Sequence, residues 1–385
     1  MQQAPPSTAS EKVSYLRNRG VEIPAPESVY IADDVALEQI AHAGITLFPG
    51  TRLEGKDLRI LGGCKISSEG PSMVKDCALA DNVEIKSGFC QGAVLLSDVS
   101  VGYAAHIRPG TLLEEQASTA HTVGLKQTVL LPFVTLGSVI NFCDILMAGG
   151  TSRKDHSEVG SSFIHFNFTP YGQHGDKATP SLVGDIPRGV FLRSKRIFLG
   201  GQGGLVGPVC IDYGTVLAAG FTYRRDHGPD ALVVGEQLTT GSRPFAAARY
   251  TRIATKVRKN LRYIGNLVAL HRWYQHVRIP FAQAPLQRVY QQAQRALERG
   301  IKERIKQLGR IAAYMDASIA TLQSECDTAP ERTKAYIAEQ RAFAEGWSKM
   351  ENALLNYEEV VGDCAPPVEL SEQLAKAQCS PHIDR

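Results

Sequence analysis

A chain of 385 residues, 43% hydrophobic and 21% charged, has room for two or three domains and the composition of an ordinary soluble protein. It carries no apolar run near the roughly 20 residues that cross a bilayer, which excludes a membrane-spanning helix. Its eight cysteines include no CxxC pair, so free thiols in a reducing compartment are expected and a structural zinc site or other metal is not. The net charge of +3 hides an asymmetry: residues 241–310 hold 16 Lys+Arg against two acids, Glu298 and Glu303. Such a belt suits a phosphorylated ligand or an acidic partner, or simply a solvated helix face, and no nucleic-acid-binding motif lies within it.

Residues 1–10 are polar, with paired prolines and no apolar signal core, and read as the disordered leader of a cytoplasmic protein. A short helix is expected over 11–19. Near Tyr30 the pattern changes to short aliphatic pieces separated by turns, and a six-residue step sets in. Val101, Ile107, Leu113, Thr119, Leu125 and Leu131 follow one series, and Leu199, Leu205, Ile211, Leu217 and Tyr223 another. Neither the helix period of 3.6 nor the strand period of 2 gives this step; the side of a prism-shaped coil does, with aliphatics stacked rung on rung. The coil is expected over 28–240, after a leader with its short helix over 1–27. Three polar stretches interrupt it: 149–158 (GGTSRKDHSE), 167–180 (NFTPYGQHGDKATP) and 187–196. Loops leaving such a coil are where ligand contacts concentrate. Gly200–Gly204 is followed by another rung rather than a helix, which argues against a phosphate-binding loop there.

After about Arg243 the spacing turns helical. Ile253, Val257, Leu261, Ile264 and Val268 form one stripe, and Leu297, Ile301, Ile305, Leu308 and Met315 another. A helical domain is expected over 241–363, broken at Pro280, Pro285 and Pro330, with a loose tail over 364–385.

Several segments resemble a known family. Val101-Gly-Tyr-Ala-Ala-His-Ile-Arg-Pro-Gly110, Val123-Gly-Leu-Lys126, Val159-Gly-Ser-Ser, Phe166-Asn-Phe168 and Leu205-Val-Gly-Pro-Val209 resemble the acetyltransferase domain of the bacterial bifunctional glucosamine-1-phosphate N-acetyltransferase / N-acetylglucosamine-1-phosphate uridylyltransferase. The resemblance covers roughly residues 28–226 and lacks the family's uridylyltransferase domain. It implies a left-handed parallel β-helix of hexapeptide repeats, here followed by an α-helical C-terminal bundle. It further implies a homotrimer, acetyl-CoA as co-substrate, a sugar-phosphate substrate and room for a separate uridylyltransferase partner.

Carried over residue by residue, the family's sugar-phosphate contacts fall on Arg108, Lys126, Asn167 and Lys177, and its acyl-CoA contacts near Ser161, Gly201 and Ala219; Asn141, which stands where the family has a tyrosine, is expected to orient the sugar with Asn167. Arg and Lys suit a phosphate, and an Asn amide suits sugar hydroxyls. The family's catalytic histidine is replaced by Ser138, which is no base near neutral pH. His165 and His156 are the candidate replacements. His165 is preferred because it lies two residues before Asn167, and residues i and i+2 on a strand point to the same face. Three functions fit these residues. One is acetyl transfer to the amine of an amino-sugar phosphate or nucleotide-linked amino sugar. Another is sugar-phosphate binding or regulation without catalysis. The third is a trimeric scaffold presenting the basic helices.

Overall fold

The computed structural model describes residues 8–172, 175–236, 241–242, 245–324 and 331–361. The expected tail over 364–385 and the first seven residues of the leader lie outside the described residues. Helix α1 (Ala9–Asn18) forms where the short helix was expected. Thr8 and Glu11 cap it reciprocally, and its buried Val13 and Leu16 join the start of the core.

From Tyr30 to Val233 the chain is a parallel β-solenoid of about 11 turns. Short strands stack into three faces. Face I runs from Thr46–Leu47 to Leu232–Val233, face II from Tyr30–Ile31 to Thr222–Tyr223, and face III from Arg59–Ile60 to Cys210–Ile211. Strands Gly124–Leu130 and Asn141–Met147 bend through a corner and serve both faces II and III. In regular coils a residue sits over its counterpart 18 positions away, as Ser100 does over Ser118 and Phe198 over Val216. That register is three six-residue steps. It turns the sequence series into interior columns, with Val101, Ile107, Leu113, Leu125 and Leu131 fully buried. Each coil must also turn sharply between faces III and I. Gly63, Asn82, Asp98, Gln116 and Phe133 take left-handed backbone there in successive coils, with φ between +57° and +73°.

The interruptions occupy corners. The 149–157 loop leaves the corner between faces III and I. The next coil takes 40 residues, from Glu158 to its partner Phe198, and holds both other insertions. One lies between Phe166 and Ser181 at the corner of faces II and III. The other contains the short helix α2 (Ile186–Gly189), between faces III and I.

Faces I and III differ in what points outward. On face I the outward partner of each pair is mostly polar (Lys65, Glu84, Ser100, Ser118). On face III it is Ala78, Val94, Leu112, Val129, Leu146 and Leu182, all buried. Burying both sides of a sheet needs a second layer. Helices α3 (Ile253–Trp273) and α5 (Leu286–Ala312) supply it as an antiparallel pair. α3 starts by the late coils, where Lys259 Nζ donates to the Pro208 carbonyl at 3.0 Å. It then descends to the early coils. A π-helical turn at Tyr274–Arg278 and one helical turn, α4 (Ile279–Phe281), reverse the chain. α5 climbs back from the carbonyl of Asp57, 2.6 Å from Gln292 Nε2, to that of Lys177, 2.9 Å from Arg304 Nη1. Helices α6 (Met315–Ser324), α7 (Glu331–Leu355) and α8 (Tyr357–Val361) complete the helical region, with α7 packed on α3 and α5.

At the turn between α3 and α5, Tyr274 Oη donates to the buried Glu114 carboxylate at 2.6 Å, and Arg278 pairs with both Glu114 and Glu115. One guanidinium thus serves two carboxylates. Desolvation is the larger effect at Glu114 and lifts its pKa from 4.5 to about 7, against the pull of Arg278. A carboxyl that holds its proton more tightly when folded contributes full stability below its unfolded pKa. That contribution is lost as pH rises toward the folded value. Urea unfolding should therefore show stability falling between about pH 4.5 and 7, a slope that Glu114→Gln removes. An unchanged slope in the variant would assign it to other groups.

Candidate functional site

Along a strand, alternate residues share a side. On face II, Leu125 packs inward and Arg108, Lys126 and Cys143 follow one another on the outer surface of successive coils. A parallel outer column holds Phe89, His106, Gly124 and Asn141. Gly124 places no side chain between His106 and Asn141. The His106 ring meets Phe89 edge to face, centroids 5.2 Å apart. Arg108 Nη2 donates to Cys143 Sγ at 3.3 Å, while its Nε is buried without a hydrogen-bond partner.

α5 passes along this side of the solenoid and closes a groove of about 760 Å³. The coil contributes His106, Arg108 and Lys126, and the helix contributes Arg299, Lys302 and Lys306. Gly110 at the corner and Gly300 on the helix also line it, small residues where the two layers come close. A side chain at Gly110, whose φ is +79°, would meet Gln127 at 2.9 Å.

Of the residues expected from the sequence to contact a sugar phosphate, Arg108 and Lys126 line this groove and Asn141 lies beside them on the open face. Asn167 stands at the next corner, where its amide donates to Asp144 at 2.6 Å. Arg304, buried in α5, pairs with the same carboxylate at 2.7 Å. The Lys177 side chain is exposed, and its carbonyl accepts from Arg304. Ser161, Gly201 and Ala219 stack at the corner between faces I and II. The amides of Gln202 and Gly220 donate to the carbonyls of Ser161 and Gly201 one coil below. They form a ladder of small residues on the last coils, and Ser138 precedes them, its amide donating to Ser161 Oγ at 3.1 Å.

The two histidines chosen from the sequence are elsewhere. His165 points inward, in the column between Phe142 and Leu205, and is 3% exposed. Its Nδ1 lies 2.5 Å from the Cys143 carbonyl, which can only accept, so Nδ1 carries the proton. Nε2 then accepts from Ser181 Oγ at 2.8 Å. Burial holds its pKa near 4. It is neutral and faces the interior of the coil, away from the groove, and the strand ends at Phe166, before Asn167 could share a side with it. His156 sits on the loop at the corner opposite face II. Its Nδ1 lies 2.9 Å from the Arg153 carbonyl, and partial burial and then Arg153 lower its pKa. Within one chain it does not approach the groove. The groove histidine is His106, which the sequence reading passed over. The signal was present, because His106 lies two residues before Arg108; the strand ends at Ile107, but the Arg108 amide extends its ladder by donating to the Leu125 carbonyl at 2.8 Å, so both side chains point outward.

Among the described residues, no three His, Cys, Asp or Glu side chains converge to hold a metal ion, and no helix is long and apolar enough to cross a membrane. Cys64, Cys77, Cys90, Cys143 and Cys210 are free thiols, and burial raises Cys64 and Cys77 to about 12.

Comparison with known proteins agrees with the coil. The chain is similar to bifunctional GlmU proteins. That of Trichlorobacter lovleyi is 30% identical over 216 residues, 56% of this chain and 41% of the relative. That of Thermotoga maritima is 28% identical over 225 residues, 58% and 44% respectively, and that of Geotalea uraniireducens 27% over 216. The chain thus spans less than half the length of these GlmU proteins. No family model matches it.

His165 sits neutral in the core with a lowered pKa, so its contribution is complete above pH 6.5 and lost as pH falls toward 4. His165→Ala should cost about 2–4 kcal/mol in a urea melt at neutral pH, through a cavity and a stranded Ser181 hydroxyl. His156→Ala should cost under about 0.5 kcal/mol. Equal losses would contradict the interior role of His165.

Proposed function

We propose that the chain is an acyltransferase that moves acetyl from acetyl-CoA to the amine of an amino-sugar phosphate. The observation that carries this reading is the meeting of His106, Arg108 and Lys126 in one groove. Arg108 and Lys126 hold the phosphate. His106 takes a proton as the amine attacks the thioester carbonyl, and the thiolate of CoA leaves and is protonated. Asn141, beside His106, orients sugar hydroxyls. The small-residue ladder of Ser161, Gly201 and Ala219 gives a pantetheine arm an unobstructed track. Similarity to bifunctional GlmU proteins over 56–58% of the chain supports the assignment.

The test is thiol release from acetyl-CoA with glucosamine-1-phosphate. Lys126→Ala should raise KM about tenfold or more through loss of a charge-assisted contact. His106→Asn should lower kcat roughly 10²- to 10⁴-fold with KM little changed. Turnover indifferent to both variants would overturn the reading. Ser138, with no basic group at its position, favours a second reading in which the groove only binds. No turnover, with the sugar phosphate raising the melting temperature, would select it.

The active species in this reading is a trimer. Tyr103, Val139 and Phe221 at or beside the corner of faces I and II, with Ile164 and Phe166 on face II, are large apolar side chains left exposed. Light scattering should give three times the 41.9 kDa chain, and Ile164→Asp should release monomers. A wild-type monomer would remove the trimer from the proposal.

A further inference from the structure

The groove holds more positive charge than one phosphate requires. Across from Arg108 and Lys126, α5 presents Arg299, Lys302 and Lys306, spaced by three and four residues and therefore on one side of the helix. Among the described residues, Lys126, Arg299 and Lys302 form no ion pair. Lys306 lies a distant 3.9 Å from Glu303, the one acid of the groove, whose other oxygen accepts from Gln307 at 2.5 Å. The Nε of Arg108 is buried without a hydrogen-bond partner, an unsatisfied donor on the residue that forms the coil wall of the groove. Like charges gathered this closely repel, so a polyanion is the partner that lowers their energy most. From Arg299 to Lys306 the helix rises about 10 Å, longer than a single phosphate and matched to a diphosphate with its flanking groups. The volume of about 760 Å³ and the Phe89 ring at its wall leave room for a sugar and a base beside that charge.

We propose that this groove takes a diphosphate ester, a nucleoside-diphosphate-linked amino sugar, with the coil cations on one phosphate and those of α5 on the other. The inference rests on the groove being the acceptor site of the proposed transferase. Coenzyme A carries the same diphosphate chemistry. The small-residue ladder at the corner of faces I and II is the track assigned to it, which leaves the groove to the acceptor.

Isothermal titration decides this, using UDP-N-acetylglucosamine, N-acetylglucosamine-1-phosphate, UMP and coenzyme A against the full chain and against Lys302→Ala/Lys306→Ala. Both lysines are exposed, and an unchanged melting temperature verifies that the variant folds. The diphosphate should bind about tenfold or more tightly than either monophosphate. The double variant should lose that margin while its affinity for the monophosphates stays the same. Equal affinities in the wild type, or a margin that survives in the variant, would overturn the inference. So would coenzyme A displacing UDP-N-acetylglucosamine with the same dependence on Lys302 and Lys306. A diphosphate margin without thiol release from acetyl-CoA, whether glucosamine-1-phosphate or UDP-glucosamine is the acceptor, removes the transferase reading and leaves the groove's ligand class standing. Thiol release from acetyl-CoA with glucosamine-1-phosphate as acceptor, but without the margin, does the reverse.

Discussion

The burial of face III on both of its sides determines the rest of the molecule. Inward, Leu79, Leu95, Leu113 and Leu130 fill the prism, and outward, Ala78, Val94, Leu112 and Val129 present an equally apolar surface. Each fully buried aliphatic contributes about 1.5–3 kcal/mol relative to exposure in water, so a layer over this strip is strongly favoured. α3 and α5 are that layer. Because two helices side by side reach the edge of the face, α5 comes to lie along the corner with face II. Its far side becomes the wall of a groove that the coil alone would not have.

The same docking divides the basic segment into two uses. Arg278 meets Glu114 and Glu115, Arg304 meets Asp144, Lys256 meets Asp176 and Lys259 meets Asp226. These cations neutralise acids of the coil, several of them buried. Arg299, Lys302 and Lys306 lie on another side of α5 and remain available to the groove. A charge count along the chain gives the total but not this division, which depends on the rotation of α5 about its own axis.

The solenoid was legible because its register of three six-residue steps leaves a direct trace in the order of aliphatics, and the helices because their stripes are long. The docking face left a trace in residue pairs that the sequence reading did not use. Face III pairs are doubly apolar (Ala78-Leu79, Val94-Leu95, Leu112-Leu113), whereas face I pairs alternate (Glu84-Ile85, Ser100-Val101). Arg108 and Lys126 were expected from the family resemblance, and they point outward because they sit in regular coils, where the neighbours Ile107 and Leu125 are turned inward. His165 is the central, inward residue of a three-residue strand; Asn167, from which its side was inferred, lies past the strand's end at Phe166, beside an insertion where alternation stops. His165's partners Cys143 and Ser181 come from neighbouring coils at distances in sequence that the inserted loop obscures. The groove could not be read, since its second wall is a helix almost 200 residues away from the coil residues it faces.

The two-sided character of face III also has a consequence for biosynthesis. A solenoid can assemble rung by rung as it leaves the ribosome, because each coil needs only its predecessor. The helices that cover it are made last, so the completed coil waits with a long apolar strip facing water until α5, ending at Ala312, has been synthesised and has returned along it. During that interval the strip is open to other chains, and the nascent protein is at its most aggregation-prone when most of its strands are already in place.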